Sequence, residues 1–452
     1  MIKFCEQEEA ICKLIRDHAL SLNPAATPRL AGGFVRDKIM EVVCHDIDVA
    51  LDNISGLLFA TGLANKLVNH PTVYKILANP EKSKHLETAV LNLYGYSIDF
   101  VHLRSESYTQ TRIPTIQKGT PEEDAFRRDI TINSLFYNLI TGEIEDFTGR
   151  GIHDIHNKVI DTPLDPRTTL LDDPLRILRI FRFKSKLGFK ISKRIYDALE
   201  DRSLGLALEK KVSNERNGIE IMKMLQYENG EDGLIEIINN ELVFSVFKPK
   251  TSIEIDKSKA LEYSRNLRDV LNRLSDGPYL RKLTKKTVDS SLLKLYLVLQ
   301  YFLNIKISHN QKDEFMNTIV MKDSLKTKKE IFSAVRSIEE RIEQLLMNKT
   351  SDVVRIVVEC KEYWLEVLTI LLLKLNEQQY YDMICNIFDQ NYHESYLETP
   401  LVNGDYLVSL NTDPKDFKHI LFECFVLQIK NPDLLRDEIY SRYKAMHTSR
   451  VK

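Results

Sequence analysis

Leu30-Ala-Gly-Gly-Phe-Val-Arg-Asp37, followed by His45-Asp-Ile-Asp-Val-Ala50, decides how the first part of this chain is read. On a β-strand, side chains two apart share a face and lie about 6.5–7 Å apart along it. Asp46 and Asp48 then project together, while Ile47 and Val49 pack inward. Two carboxylates on one rigid edge form a site for a divalent cation. Mg²⁺ in particular takes hard oxygen ligands and leaves its other positions to water or phosphate oxygens. Upstream, Gly32-Gly33 lets backbone N–H groups approach a phosphate, and Arg36 adds a forked donor. A DxD alone reads more readily as a solvated turn or a capping pair. The pairing GGxVRD-x₈-DxD, on a turn–helix–strand reading, is far more specific. The Walker pattern GxxxxGK followed by Ser or Thr does not occur, so an ordinary P-loop is not supported.

Working outward, Asp99 sits in a second β-like run, Ser97-Ile-Asp-Phe-Val-His102. Facing Asp46 and Asp48, it would complete a two-metal nucleotidyl-transfer site. An edge-strand Asp in solvent is the equal alternative. Arg127-Arg128-Asp129-Ile-Thr-Ile-Asn133 follows an acidic run and, taken singly, reads as a charged helix face. Asp172-Asp173-Pro-Leu-Arg176-Ile-Leu-Arg179-Ile-Phe-Arg182-Phe183 opens a helix with Asp at the cap and Pro174 in the first turn. Arg176, Arg179 and Arg182 form one stripe beside an apolar stripe of Leu175, Leu178 and Phe181. For this helix alone, a solvated arginine face is the plainer reading. The sharper one pairs Asp173 with Arg176. A carboxylate beside a guanidinium matches the amino donor and ring-nitrogen acceptor of cytosine and adenine, whereas uracil and guanine reverse both groups. Arg179 and Arg182 then remain for phosphate. His153-Asp-Ile-His156 has helical metal spacing without further ligands and reads as a surface loop; Trp364 and the aromatic-rich 363–395 region read as helix-packing core.

Composition bounds the rest. The chain has 452 residues, too many for one ordinary domain, and 43% hydrophobic with 28% charged residues excludes collagen, low-complexity disorder and a coiled-coil rod. Lys plus Arg number 63 against 65 Asp plus Glu, a formal net charge of −2, which excludes a coat of positive charge but not a local basic groove. Six cysteines without a CxxC pair point to a reducing compartment. No apolar run reaches eighteen residues, and the N-terminus resembles neither a signal nor a transit peptide, so an intracellular protein is expected.

Short β-rich runs (47–51, 89–93, 97–103 and 144–147) mark the first 160 residues as an α/β or α+β unit. From Asp172 onward, apolar residues recur at helical spacing in ILRIFRFKSKL, GIEIMKMLQ, SLLKLYLVLQYFL, YWLEVLTILLLKL and HILFECFVLQIK.

In this order, the segments resemble the class II tRNA nucleotidyltransferases that build the 3′-terminal CCA, in a eukaryotic, fungal-like form. The likeness runs from about Ile11 to Leu225. It rests on GGFVRD with HDIDVAL, the 82–129 stretch, Arg127-Arg128-Asp129, DFTGRGIHDI (146–155), Asp172-Asp173-x-x-Arg176 and VSNERNGIEIMKML (212–225). It departs from the family pattern at Asp172, Ile130, Ser134, Asn214 and Asn217, none of which removes a catalytic group. The resemblance implies an α+β fold: a polymerase-β-like nucleotidyltransferase head with a mixed sheet, then an all-helical neck, body and tail. The expected divisions are 1–160 for the head, 161–247 for the neck, 248–349 for the body and 350–452 for a tRNA-binding tail.

The resemblance also assigns roles. Asp46 and Asp48 would hold Mg²⁺ with Asp99 as a third catalytic carboxylate, and Gly33 and Arg36 would hold the triphosphate. Arg128 and Asp129 would sense the ribose, Asp173 and Arg176 would be the protein template, and Arg179 and Arg182 would sit beside the phosphates. The implied partners are the tRNA acceptor end, CTP and ATP, with no membrane, for a monomer in the cytoplasm, nucleus or mitochondria. Addition of CC only or A only, poly(A) synthesis, and a non-catalytic tRNA binder are the alternatives. The segment Ser105–Gly119 resembles the element associated with completing CCA. Arg281, Lys282, Lys285, Lys286 and 326–329 are candidates for phosphate contact or a solvated charged face.

Overall fold

The computed structural model describes residues 2–68, 70–76, 88–107, 115–227, 229–248, 337–338, 340–347, 351–375 and 378–448. The chain divides into two units, Met1–Ser252 and Ile253–Lys452. The expected basic residues at 281–286 and 326–329, and the SLLKLYLVLQYFL helix, lie outside the described residues.

The first unit begins with α1 (Glu6–Leu20), β1 (Arg29–Ala31), α2 (Gly33–Ile39), β2 (Asp46–Leu51) and α3 (Gly56–Lys66). Then come β3 (Val73–Ile76), β4 (Thr88–Leu93), β5 (Tyr96–His102), β6 (Arg104–Ser107), β7 (Thr115–Lys118) and α4 (Pro121–Phe126). A 3₁₀ turn at Thr131–Asn133 leads to β8 (Phe136–Asn138), β9 (Glu143–Glu145) and α5 (Gly151–His156). Seven strands form one mixed sheet in the order β3-β4-β5-β2-β1-β8-β9. Within it β2 and β5 run parallel and the other neighbours antiparallel. The expected strands at 47–51, 89–93 and 97–103 are β2, β4 and β5, whereas the run at 144–147 contributes only its first half, to β9.

Alternation decides which way this sheet faces. Ile47 and Val49 of β2, Ala89 and Leu91 of β4, and Ile98 and Phe100 of β5 are buried. Phe59 of α3 closes on Phe100 with ring centroids 5.4 Å apart, and α1 packs on α3 through Ile11 and Ile15. Each of the larger side chains contributes about 1.5–3 kcal/mol of burial free energy. Covering one face this way leaves the intervening residues of β2 and β5, including all three acidic ones, on the other.

Helices follow: α6 (Pro166–Asp172), α7 (Leu175–Leu187), α8 (Lys193–Leu199), α9 (Arg202–Lys211), α10 (Asn214–Leu225), α11 (Gly230–Asn239) and α12 (Val243–Phe247). Asp173 starts α7 by accepting the Leu175 N–H at 3.2 Å, and Gly188, at φ +66°, ends it in the left-handed conformation that glycine adopts freely. The arginine face of α7 is not solvated. Leu175, Ile177, Leu178, Ile180, Phe181 and Phe183 are buried, and so are Arg176 and Arg182. The cause is coverage by α10 and α11, which pack along α7. Arg182 Nε donates to Glu220 of α10 at 2.6 Å, and Lys184 pairs with Glu236 of α11.

In the second unit, the expected helices are Trp364–Leu375 and Phe417–Lys430. Trp364 is core, as expected: fully buried, its Nε1 donating to His393 O at 3.1 Å and its ring 5.3 Å from Phe388. Arg355 meets Glu423 through two bonds of 2.7 Å. Among the described residues, no helix is long and apolar enough to cross a membrane. All six cysteines are free.

Two stability predictions arise here. Glu220→Ala strands a buried Arg182 charge and should cost about 3–5 kcal/mol in urea unfolding, most of it recovered by Arg182→Met with Glu220→Leu. A Glu220→Ala variant as stable as wild type would contradict the pairing. His18 is buried against Phe59, and burial, with Lys66 adding to it, lowers its pKa below the ordinary 6.5. The unfolded chain therefore takes up this proton before the folded one, and stability falls as pH drops through about 6.5. His18→Leu should reduce that acid loss; an unchanged pH profile would contradict it.

Candidate active site

The parallel register pairs Asp48 directly with Asp99, and Asp46 with Ser97, so the three carboxylates share one sheet face, whose other part is closed by the buried cluster of Ala31, Ala50, Leu103, Ala125 and Phe136. Asp46 and Asp48 are open to solvent and Asp99 is half-buried. Asp48 nevertheless lies among many protein atoms, as at the floor of a concavity. Desolvation pushes its carboxyl up to about 6, with Asp99 and Asp46 adding repulsion and Arg128 opposing. Among the described residues no three His, Cys, Asp or Glu side chains form a ready-made metal cage. An open face of mutually repelling carboxylates fits a hard divalent cation that takes its remaining ligands from water or phosphate.

Gly32 makes this site reachable. It links β1 to α2 at φ +66° and donates its N–H to Leu135 O at 3.1 Å. A Cβ there would stand 2.8 Å from Arg128 Nη1 and 4.0 Å from Asp48 Oδ2. A phosphate role is expected of Gly33, but Gly32 is the position at which a side chain is strained and crowded.

An arginine belt adjoins the acidic face. Asp124 of α4 receives Arg127 through Nε (2.9 Å) and Nη2 (2.6 Å), and Arg128 through Nε (3.1 Å) and Nη2 (2.8 Å). Burial alone would raise the Asp124 carboxyl; Arg128 and Arg127 hold it below its usual value. Asp124 is not among the expected site residues, although its spacing of three and four from the arginines is the helical-pair signal. Arg128 also stacks on Phe136, 4.9 Å from the ring centre. Glu106, on the β6–β7 hairpin, pairs with Arg104 (3.1 Å) and Arg127 (3.2 Å) and stands 3.9 Å from Arg176. No local sequence signal marks it. The hairpin occupies the segment expected to complete CCA, and residues 108–114 between its strands lie outside the described residues.

Buried Asp129 pairs with half-exposed Arg179, whose Nε and Nη2 each lie 2.7 Å from Oδ2. Burial acts to raise Asp129, but Arg179, with Arg176 and Arg182 behind it, holds it at about 2. Arg176 donates to Arg127 O at 2.6 Å and Thr169 O at 3.3 Å. Asp173 is half-buried, its Oδ2 3.7 Å from Arg216.

Three expected phosphate ligands are placed otherwise. Arg36 is 2% exposed and engaged with Asp37 and Asn133, because α2 turns it inward beneath the 3₁₀ turn. Arg182 is turned to Glu220, and Arg179 to Asp129. His153 is exposed on α5, a helix and not the expected loop, beside its neighbour Asp154.

Gly32→Ala should cost about 1–3 kcal/mol of backbone strain and displace Arg128 from its seat beside Asp48, lowering activity at least about tenfold. Gly33→Ala should keep the fold, since its Cβ would meet only Arg36 Nη2 at 3.6 Å. Equal tolerance at both positions in activity and melting assays would contradict this geometry.

Comparison with known proteins gives this geometry a lineage. Residues 28–161 match the model of the poly A polymerase head domain. A mitochondrial CCA tRNA nucleotidyltransferase of Candida glabrata is 44% identical over 261 residues, 54% of this chain and 49% of that protein; the chain thus spans about half the length of this relative. The solved apo structure of a CCA-adding enzyme superposes with a TM-score of 0.71 at 21% identity, covering 98% of this chain and 96% of the other, which shows a shared fold. The tRNA nucleotidyltransferase cca1 of Schizosaccharomyces pombe is 32% identical over 466 residues, covering 94% of this chain and 92% of that protein. With head, helices and near full-length similarity in agreement, the chain belongs to the tRNA nucleotidyltransferase family.

Proposed function

We propose that this chain is a template-independent CTP/ATP:tRNA nucleotidyltransferase that builds CCA on the 3′ end of tRNA. The observation that carries the reading is the shared face of Asp46, Asp48 and Asp99 beside Arg128. Asp46 and Asp48, with Asp99 adjoining, would hold Mg²⁺, which when bound supplies positive charge to the phosphates and acidifies the attacking hydroxyl. The tRNA 3′ oxygen attacks the α-phosphorus in line; the new P–O bond forms as the bond to the β-phosphate bridge breaks and pyrophosphate leaves.

The chain's own groups orient that event. Gly32 keeps the turn open, the adjoining Gly33 would meet the triphosphate through its backbone N–H, and Arg128 and Asp129 face the ribose. The carboxylate of Asp173 accepts the amino group of cytosine or adenine while Arg176 donates to the ring nitrogen. Uracil and guanine would place a carbonyl against that carboxylate, leaving two acceptors opposed. Arg36, Arg179 and Arg182 act as positioning groups behind this surface. Residues 1–160, 161–247, 248–349 and 350–452 serve as head, neck, body and tRNA-gripping tail of an intracellular monomer.

The test incubates the protein, CTP, ATP and Mg²⁺ with tRNA lacking CCA, or ending in C or CC, and sequences the products. Complete CCA on all three supports the reading. CC alone or A alone would replace it with a partial enzyme, long A tails with a poly(A) polymerase, and binding without addition with a non-catalytic binder. Asp46→Ala should lower incorporation at least about a thousandfold. Asp173→Ala should blunt discrimination against UTP and GTP, and unchanged selection would remove Asp173 from the template.

A further inference from the structure

Asn133 ends the 3₁₀ turn that follows Arg128-Asp129 and is 7% exposed. Its amide lies between opposite charges. Oδ1 accepts from Arg36 Nη1, and Nδ2 lies 3.5 Å from Asp129 Oδ1, a long contact. A carboxamide can be turned over without changing shape, but a cation at one end and an anion at the other fix its orientation. The main-chain carbonyl of Asn133 accepts from Arg128 Nη1 at 3.0 Å. One residue thus touches Arg36, Arg128 and Asp129.

Each contact leads to a different part of the site. Arg128 Nη1 is the atom that crowds Gly32, beside Asp48. Asp129 holds Arg179 of α7 at 2.7 Å. Arg36 of α2 lies 5.5 Å over the Phe183 ring, which Arg179 and Arg182 also approach at 5.8 and 4.4 Å. Arg36 is sealed from water, so its charge depends on Asp37 and Asn133 for acceptors.

We propose that Asn133 is a positioning residue whose amide, held between Arg36 and Asp129, fixes the main-chain carbonyl that seats Arg128 relative to the Asp129–Arg179 pair, and so governs affinity for the incoming nucleotide and not the chemical step. This rests on the reading of Arg128 and Asp129 as nucleotide-facing groups. Two variants separate positioning from support. Asn133→Asp keeps the shape and the acceptor for Arg36, but turns a second carboxylate towards Asp129. Asn133→Ser is too short to reach either neighbour.

Thermal melting gives the folded fraction, equilibrium titration of CTP with Mg²⁺ in the absence of tRNA gives Kd, and CTP addition to tRNA lacking CCA gives KM and kcat. Both variants should fold, with Kd and KM raised about 10–100-fold for Asn133→Asp and about tenfold for Asn133→Ser. Their kcat should stay within about threefold of wild type. Unchanged Kd and KM, with kcat falling only in proportion to the folded fraction, would overturn the proposal. If Asn133→Asp does not fold, the Kd of Asn133→Ser decides. Wild-type protein that binds CTP but adds nothing to tRNA would sink the proposed function, while the Kd ratio still judges Asn133. Wild-type protein that binds no CTP would sink both.

Discussion

The parallel ladder between β2 and β5 is the constraint on which the site depends. Its register opposes Asp48 to Asp99 and leaves Ile47, Val49, Ile98 and Phe100 for the covered face. Because strand side chains alternate, a slip of one residue would send three carboxylates into an apolar layer and expose four core side chains. Desolvating even one unpaired carboxylate costs several kcal/mol, so hydrophobic burial fixes the register and the register gathers the acids. The same packing that stabilises the sheet thereby gathers like charge on its other face, where burial first, and the neighbouring acids second, raise the Asp48 carboxyl.

Positive charge is handled by pairing. Arg182 has Glu220, Arg179 has Asp129, and Arg127 and Arg128 share Asp124. Such matching is compatible with a net charge of only −2, since these guanidiniums bring acids with them. On the proposed reading, the chain would meet a polyanion without a basic coat. It presents a few arginines whose directions are set by buried partners, and salt-dependent attraction then belongs to the site more than to the surface.

Much of this arrangement is legible in the sequence. The period of two around Asp46 and Asp48 gives the strand and its polar face directly, and the Ser97–His102 run gives the neighbour that carries Asp99. The cap at Asp173 and the glycine at 188 bound α7 closely. What local pattern cannot supply is coverage. Arg182 reads as exposed because its partner Glu220 lies 38 residues on, and Arg36 reads as a surface ligand because Asn133 is 97 residues away. Strands of three residues, such as β1 and β8, are too short to show alternation, yet they seat Gly32 and deliver the 3₁₀ turn. The identity of the residue types was readable; the direction in which the arginines point depended on helices that pack from elsewhere in the chain.

On the proposed reading, the acidic face of β2 and β5 is where a divalent cation and a nucleoside triphosphate meet. Diffraction from crystals soaked with Mn²⁺ and CTP, recorded at a wavelength where manganese scatters anomalously, tests it most directly. Anomalous density against the carboxylates of Asp46 and Asp48, with the triphosphate on the Gly33 side, is the expected result. Density elsewhere, with that face bare, would contradict it.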